Sequence, residues 1–230
     1  MYSLSIGEKG IAMAKLTWDN VGEKTYETGT DRGVLYPQSS GTYPKGVAWN
    51  GLTAVTESPS GADENSFYAD NIKYGSLRGS EDFGGTIECY TFPDEWMTCD
   101  GSAEAVTGVV VGQQKRLPFG LSFRTLIGND ADGIDHGYKL HLIYNATASP
   151  SERAYQTVND SPEAITFSYE FTTTPINITA IENAKPVACI TIDSTKVDAE
   201  KLKKLEEALY GTADAEAYLP LPDDVIAMLK

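Results

Sequence analysis

The feature that most constrains this chain is a long polar segment between two strand-like runs. The first run, residues 47–57, is rich in β-branched and aromatic residues, and Asn50 and Gly51 supply a turn or bulge within it. The second run, residues 86–92, alternates apolar and polar residues as a half-buried strand does. The connection between them, residues 58–85, far exceeds the ~2–5 residues of a β-hairpin loop. It is therefore either disordered or functional.

This long connection carries more apolar surface than a flexible tether needs. Its large apolar residues are Phe67, Tyr68, Ile72, Tyr74, Leu77 and Phe83. Aromatic side chains of this kind are enriched at the centres of protein interfaces. We therefore expect the connection to contact a partner.

Strand-like runs recur along the rest of the chain, separated by Gly, Pro and Asn. They cover residues 34–36, 107–111, 117–127, 138–144, 165–171 and 187–192. The clearest alternation lies in residues 165–171, where Phe167, Tyr169 and Phe171 share one face. One-sided strands at this spacing predict a mainly β fold, an antiparallel β-sandwich or barrel.

Two helices are predicted near the C-terminus. Residues 199–210 place three leucines on one face, with Asp198 as the N-cap and Gly211 after the last turn. A second helix begins at Pro222 and runs to residue 229. Helices this short are not stable alone. We expect their apolar faces to pack on the sheet, in preference to a neighbouring subunit.

A short helix is also predicted to flank the sheet at residues 92–100, with Pro93 at its first position and acidic residues in its first turn.

Met13 begins a stretch that reads like a second translation start. The chain is therefore divided into a leader or extension (1–12), a β domain with the long connection (13–193) and a C-terminal helical extension (194–230).

Composition limits the classes of function. The chain has 33 acidic and 18 basic residues, a net charge of −15, which argues against DNA binding through phosphate contacts. Cys89, Cys99 and Cys189 are odd in number and widely spaced, which argues against a disulfide framework and indicates a reducing cytoplasm. No apolar run reaches the ~18–20 residues of a membrane-spanning helix, and the sequence has no signal-peptide core.

Candidate catalytic and metal sites are few. The acidic turn at residues 129–136 lacks the spacing and the closing Glu of a calcium-binding EF-hand loop. His136 and His141 have no evident ligand set beside them. Asp94 and Glu95 are adjacent in a short helix, so they point in different directions and do not form a glycosidase acid pair. We expect neither an enzyme nor a cofactor.

Three stretches resemble the major tail (tail tube) proteins of long-tailed bacteriophages: WNGLTAVTESPSGADE from Trp49, YADNIKY from Tyr68 and GTIECYTFPDEW from Gly85. The resemblance extends from about Met13 to the C-terminus and rests on running sequence and order of elements. It implies a β-sandwich subunit of the tail-tube type that forms hexameric rings. These rings would stack into a tube in the virion tail, assembled in the host cytoplasm, through which double-stranded DNA passes without specific binding.

The resemblance also implies partners and a lumen. The partners are other copies of the chain and the tail tape-measure, tail terminator and baseplate proteins, with no membrane. It assigns the pore-lining sheet to strands around residues 47–57, 84–92, 117–127 and 138–146. Within that sheet the polar alternates expected to face the lumen are Thr53, Glu57, Thr86 and Glu88. Arg124 shares their pattern and needs an acid nearby.

Stacking of rings needs a segment that reaches beyond the sheet, and the connection at 58–85 is the only internal segment long enough. Its residues expected to contact the next ring are Phe67, Tyr68, Ile72, Tyr74, Arg78 and Phe83. We expect the connection to be mobile in the free subunit and to order on stacking.

A second interpretation is a carbohydrate-binding or glycoside-processing β-sandwich. It rests on the fold class, the abundant tyrosines and the scattered acidic residues. It predicts a monomer with an aromatic platform and affinity for sugars, whereas the first interpretation predicts rings or tubes without a ligand. A fold alone does not separate the two.

Overall fold

The computed structural model describes residues 15–158, 160 and 163–230 of the chain. Its strands are β1 (Tyr26–Pro37), β2 (Val47–Ala48), β3 (Leu52–Glu57), β4 (Ser60–Gly61), β5 (Glu64–Ala69), β6 (Ile72–Arg78), β7 (Glu81–Asp82), β8 (Gly84–Cys89), β9 (Ala103–Val106), β10 (Val109–Val111), β11 (Phe119–Asn129), β12 (Gly133–Ala148), β13 (Phe167–Thr173) and β14 (Cys189–Asp193). Its helices are α1 (Trp96–Asp100), α2 (Ala199–Tyr210) and α3 (Pro222–Leu229). The predicted mainly β fold with antiparallel strands and short helices is confirmed.

The main sheet has the order β2-β1-β11-β12-β13-β8-β3, and β14 pairs with β12 as a branch. Strand β12 makes this branch possible because it is 16 residues long. One of its edges pairs with β11. The other pairs first with β14, over residues 139–143, and then with β13, over residues 146–148.

Asn145 marks the point where the sheet divides. Its φ is 49°, in the left-handed region, and it is an extra residue in β12 relative to β11. Ile143 and Ala146 therefore face the same core, whereas regular alternation would put them on opposite sides. The Asn145 amide accepts a hydrogen bond from Gln38 Nε2 (3.1 Å) and donates one to the Thr174 carbonyl (3.0 Å). The side chain thus ties the bulge to both neighbouring segments.

We expect Asn145→Val to lower the free energy of unfolding by about 2–4 kcal/mol, because a β-branched residue is strained at this φ and two hydrogen bonds are lost. Asn145→Gly is the matched control, because it loses the same hydrogen bonds while glycine adopts this φ without strain. Urea denaturation of both variants measures the difference. Equal stability of the two variants would show that the left-handed backbone is not what the site requires.

Two apolar cores lie on opposite faces of the β1-β11-β12 layer. The first core lies between this layer and strands β13, β8 and β3, and α1 closes one end of it. Its aromatic members include Trp49, Trp96, Phe119, Tyr169 and Phe171. Trp96 joins the layers, since its ring lies 4.8 Å from that of Trp49 and 5.0 Å from those of Phe119 and Tyr169. The chain therefore places strands on both sides of this core.

The second core lies between the sheet and the C-terminal helices. It contains Leu202, Leu205, Leu209 and Val225 from the helices and Tyr36, Leu140, Leu142 and Tyr144 from the strands. The Tyr36 hydroxyl donates to the Leu209 carbonyl (2.7 Å), and the Tyr144 hydroxyl donates to the Pro220 carbonyl (3.0 Å). Packing of both helices on the sheet is therefore confirmed, as are their predicted bounds and the Asp198 cap.

Two local predictions are wrong. Helix α1 begins at Trp96 because the residues before it form a turn, in which Trp96 N–H bonds to the Pro93 carbonyl (3.0 Å). Pro93 is therefore not in the helix, and its first turn carries no acidic residue. Residues 107–111 do not form one strand, because Gly108 turns the chain at φ 82° between β9 and β10. The predicted division into segments stays a prediction, and residues 1–12 lie outside the described part of the chain.

Candidate assembly surfaces

The long connection forms a projecting β-hairpin, here called the long hairpin (residues 58–83). Strand β4 pairs with β7, and β5 pairs with β6. Asp70 and Asn71 turn the chain with φ of 50° and 65°, the signature of a tight two-residue hairpin turn. Our sequence reasoning missed these strands, although two turn-forming residues between strand-like runs were the signal for them.

One face of the long hairpin is apolar and has no partner within the described residues. It comprises Phe67, Ile72, Tyr74 and Leu77, which are 44–72% exposed. The rings of Phe67 and Tyr74 are 6.0 Å apart. The Phe67 ring also covers Gly75, where an added Cβ would lie 2.7 Å from the ring. None of these four side chains belongs to either core.

The opposite face of the long hairpin is held by charges. Glu64 pairs with Lys73 at 2.7 Å and with Arg78 at 3.6 Å. The hydrogen bond from Lys73 lowers the pKa of Glu64. Tyr68 lies directly opposite Lys73 and therefore projects on this face. The long hairpin is thus amphipathic.

The structure places most of the predicted inter-ring residues on the long hairpin, but on both of its faces. Those in the long hairpin strands are Phe67, Tyr68, Ile72, Tyr74 and Arg78. Phe83 differs, because it lies at the base, half-buried against the first core, where its carbonyl accepts a hydrogen bond from Thr173 N–H (3.0 Å). Their role in ring contacts stays a prediction, as does the mobility of the segment in the free subunit.

A polar face covers the outside of β3, β8 and β13, and is here called the acidic face. Its residues are Ala54, Thr56, Thr86, Glu88, Ser168, Glu170 and Thr172. In β8, Ile87 and Cys89 point into the first core, so Thr86 and Glu88 point away from it. Glu88 and Glu170 are the charged residues of this face, and the three strands contain no Lys, Arg or His. The face therefore carries only negative formal charge.

The four predicted lumen residues do not share one face. Thr86 and Glu88 lie on the acidic face, and Thr53 is exposed at a register shift in β3. Glu57 follows the core-facing Val55 by two residues, so its side chain projects to the same core side, away from the acidic face. Its Oε1 lies 3.8 Å from His141 Nδ1, and burial raises the pKa of Glu57.

Arg124 has the acidic partner that its position required. Its guanidinium donates two hydrogen bonds to Asp31, at 2.8 and 2.7 Å, and lies 4.7 Å from the centre of the Tyr138 ring. The hydrogen bond with Arg124 lowers the pKa of Asp31. Ser122 forms a hydrogen bond with Tyr36 of the second core, and Arg124 lies two residues after Ser122 on the same strand. It therefore projects toward the helices and away from the acidic face.

The two histidines and the acidic turn have structural contacts. The His141 ring stacks on Phe123 with 4.6 Å between centres, and burial lowers the pKa of His141. Asn129 caps its own turn by accepting a hydrogen bond from Asp132 N–H (2.5 Å), and Asp132 pairs with His136 at 3.1 Å. Within the described residues, no group of three His, Cys, Asp or Glu side chains is placed to hold a metal ion. None of the described helices is long and apolar enough to span a membrane.

Strands β9 and β10 form a second exposed hairpin, here called the valine hairpin (residues 103–111). Val109 lies opposite Val106, and Val111 lies two residues along on the same face. Val110 lies opposite Glu104 on the other face. All four valines are 42–64% exposed. Sequence reasoning treated this run as one more strand of the sheet and missed the surface.

A family model described as phage tail tube protein matches residues 44–214, which is more than half of the chain. No curated protein matches this chain. The solved structures that it is similar to include the sheath-tube complex of the extracellular contractile injection system PVC in its extended state (13% identity, 70% of this chain, 88% of that chain, TM-score 0.30). A second is the anti-feeding prophage cap, AFP tube terminating cap (11% identity, 80% of this chain, 99% of that chain, TM-score 0.32). A third is the PVC sheath/tube terminator in its extended state (12% identity, 73% of this chain, 97% of that chain, TM-score 0.30). The match to the family model shows that the chain belongs to the phage tail tube protein family.

Proposed function

We propose that this protein forms hexameric rings that stack into the phage tail tube, the conduit for double-stranded DNA into the host. The observation that carries the proposal is the long hairpin, whose apolar face has no partner among the residues that the structure describes. A monomer gains nothing from a projecting apolar hairpin, whereas an assembling subunit uses it to hold the next ring. The role is structural and not enzymatic, in the virion tail.

Ring closure is supported by the position of β3. This strand is the last of the main sheet, and among the described strands it pairs with β8 alone, which leaves its other edge for a strand from a neighbouring subunit. Closing six such sheets into one barrel would remove the open edges that otherwise promote aggregation. The acidic face borders this edge and would line the lumen.

A negative lumen wall suits DNA transit. Glu88 and Glu170 repel phosphates, and the absence of basic residues in β3, β8 and β13 leaves nothing there to hold the DNA. We retain Thr53, Thr86 and Glu88 as proposed lumen residues. We leave Glu57 out of the proposed lumen wall, because its side chain projects to the core side, near His141.

Negative-stain microscopy of the purified protein tests the proposal. We expect rings or tubes of uniform diameter without any added ligand. The tape-measure, terminator and baseplate proteins would then set the length and ends of the tube in the virion. A protein that stays monomeric and binds sugars would contradict the proposal and favour a carbohydrate-binding role.

We expect Glu88→Lys to preserve tubes but to slow DNA ejection, because a lysine in the lumen attracts phosphates. Glu216→Lys is the matched control, since it makes the same charge change at an exposed site after α2. Ejection kinetics of phages carrying each variant provide the measurement. Equal kinetics for both variants would remove Glu88 from the lumen.

A further inference from the structure

We propose that the long hairpin of one copy docks through its apolar face on the valine hairpin of a neighbouring copy. This inference rests on the proposed function, because it names the surface that receives the long hairpin in the tube. It predicts contacts between Phe67, Ile72, Tyr74 and Leu77 of one subunit and Val106, Val109 and Val111 of the next.

These two hairpins hold the main concentration of exposed apolar side chains in the described chain. Five such side chains lie in the long hairpin and four in the valine hairpin, out of 21 large apolar residues that are exposed. Each hairpin forms its own two-stranded sheet, apart from the main sheet. Contiguous exposed apolar surface of this kind marks a protein interface.

The two apolar faces differ in the size of their side chains. The long hairpin presents the rings of Phe67 and Tyr74, large side chains of the type that anchors interfaces. The valine face is built of short branched side chains on a two-stranded ribbon, so it offers a shallow surface on which rings can lie. Contacts between aromatic rings and β-branched side chains also stabilise neighbouring strands within sheets.

The charges beside the two hairpins are consistent with a second copy as the partner. The long hairpin carries Asp63, Glu64, Asp70, Glu81 and Asp82 against Lys73 and Arg78, a net charge of −3. The valine hairpin itself (103–111) carries one charge, that of Glu104, and Lys115 and Arg116 follow it in the chain. Lys115 is exposed and forms no ion pair within the described residues. Lys115 therefore offers the acidic long hairpin of another copy an exposed charge of opposite sign, in a chain that is otherwise strongly negative.

The contact is heterologous, because the two surfaces lie on different parts of the subunit. Each copy would therefore offer one hairpin and receive another, so the contact repeats from copy to copy. A repeating contact suits a growing tube, whereas two copies alone would leave one surface of each kind open.

Two substitutions on one strand test the inference. Val109 and Val110 are each 51% exposed but lie on opposite faces of the valine hairpin. We expect Val109→Asn to raise the protein concentration needed for tube assembly about tenfold, as loss of an interface contact does, and Val110→Asn to have little effect. Sedimentation and microscopy across a concentration series measure both, and circular dichroism verifies that both variants fold.

Cross-linking between copies provides a direct measurement. Ile72→Cys and Val109→Cys are made in separate chains. Both chains also carry Cys189→Ser, because Cys189 is the partly exposed cysteine, whereas Cys89 and Cys99 are buried and can stay. Under mild oxidation during assembly, we expect a disulfide-linked dimer in the mixture of the two chains and none in either chain alone.

The outcomes separate the two proposals. If tubes form, but the mixture does not cross-link and Val109→Asn assembles like Val110→Asn, the docking surface is wrong and the tube function stands. If the unaltered protein forms neither rings nor tubes, the proposed function fails and the docking inference fails with it. Cross-linking in the Ile72→Cys chain alone would instead indicate contact between two long hairpins and overturn the inference.

Discussion

Replacement of residues 60–82 by a short Gly-Ser linker is expected to abolish tube formation while leaving the subunit folded. The linker can span the gap because Glu57 and Gly85 pair across β3 and β8 and Ser58 N–H bonds to the Gly84 carbonyl at 2.8 Å. No residue between 60 and 82 belongs to either core, so its removal takes away little buried apolar surface. The main loss is therefore the contacts that the long hairpin would make with another copy.

Microscopy and thermal melting together measure this result. The control is Asn71→Gly, which keeps the left-handed backbone of the turn (φ 65° at Asn71) and therefore the hairpin. We expect the control to form tubes and the linker variant to form none, with similar melting temperatures. Long tubes from the linker variant would show that stacking resides elsewhere, for which the C-terminal helices are the next candidates.

Leu205→Asp is expected to destabilise the subunit by about 4 kcal/mol or more, because it buries a carboxylate without a partner. Leu205 is fully buried in the second core, between α2 and the sheet. For a chain of this length the loss corresponds to a fall of roughly 8–16 °C in melting temperature. The variant would therefore also assemble poorly near physiological temperature.

The neighbouring Lys204→Asp is the control, since Lys204 is exposed on the same helix. We expect its melting temperature to change by only a few degrees, because surface substitutions stay within about 0.5 kcal/mol. Scanning calorimetry of both variants separates burial from helix propensity. An unchanged melting temperature for Leu205→Asp would mean that α2 is loosely attached in solution.

Local signals in the sequence were sufficient for the C-terminal helices. Asp198 accepts hydrogen bonds from Glu200 and Lys201 N–H, and Gly211 follows the last turn, so both ends of α2 are encoded within a few residues. The spacing of the leucines also determined which face is buried. In the same way, the alternation in β13 predicted that Phe167, Tyr169 and Phe171 face the core.

The candidate surfaces were predictable only in part. The apolar residues of the connection at 58–85 indicated a surface with a partner, and most of them lie in the long hairpin. The hairpin itself was missed because its two strands lack a regular alternation of polar and apolar residues, and because the turn between them contains no glycine. The valine hairpin was missed because a run of valines reads equally well as a buried strand.

The sequence by itself determined the fold class, the two C-terminal helices and the family, because propensity, capping and matching stretches of sequence are local properties. Only the tertiary structure decided which strands pair, that β12 divides the sheet at Asn145, and that Glu57 and Glu88 lie on opposite faces. The physical reason is that a single extra residue in a strand reverses the side of every residue after it. Whether a bulge forms depends on distant partners, here Gln38 and Thr174, which sequence spacing does not reveal.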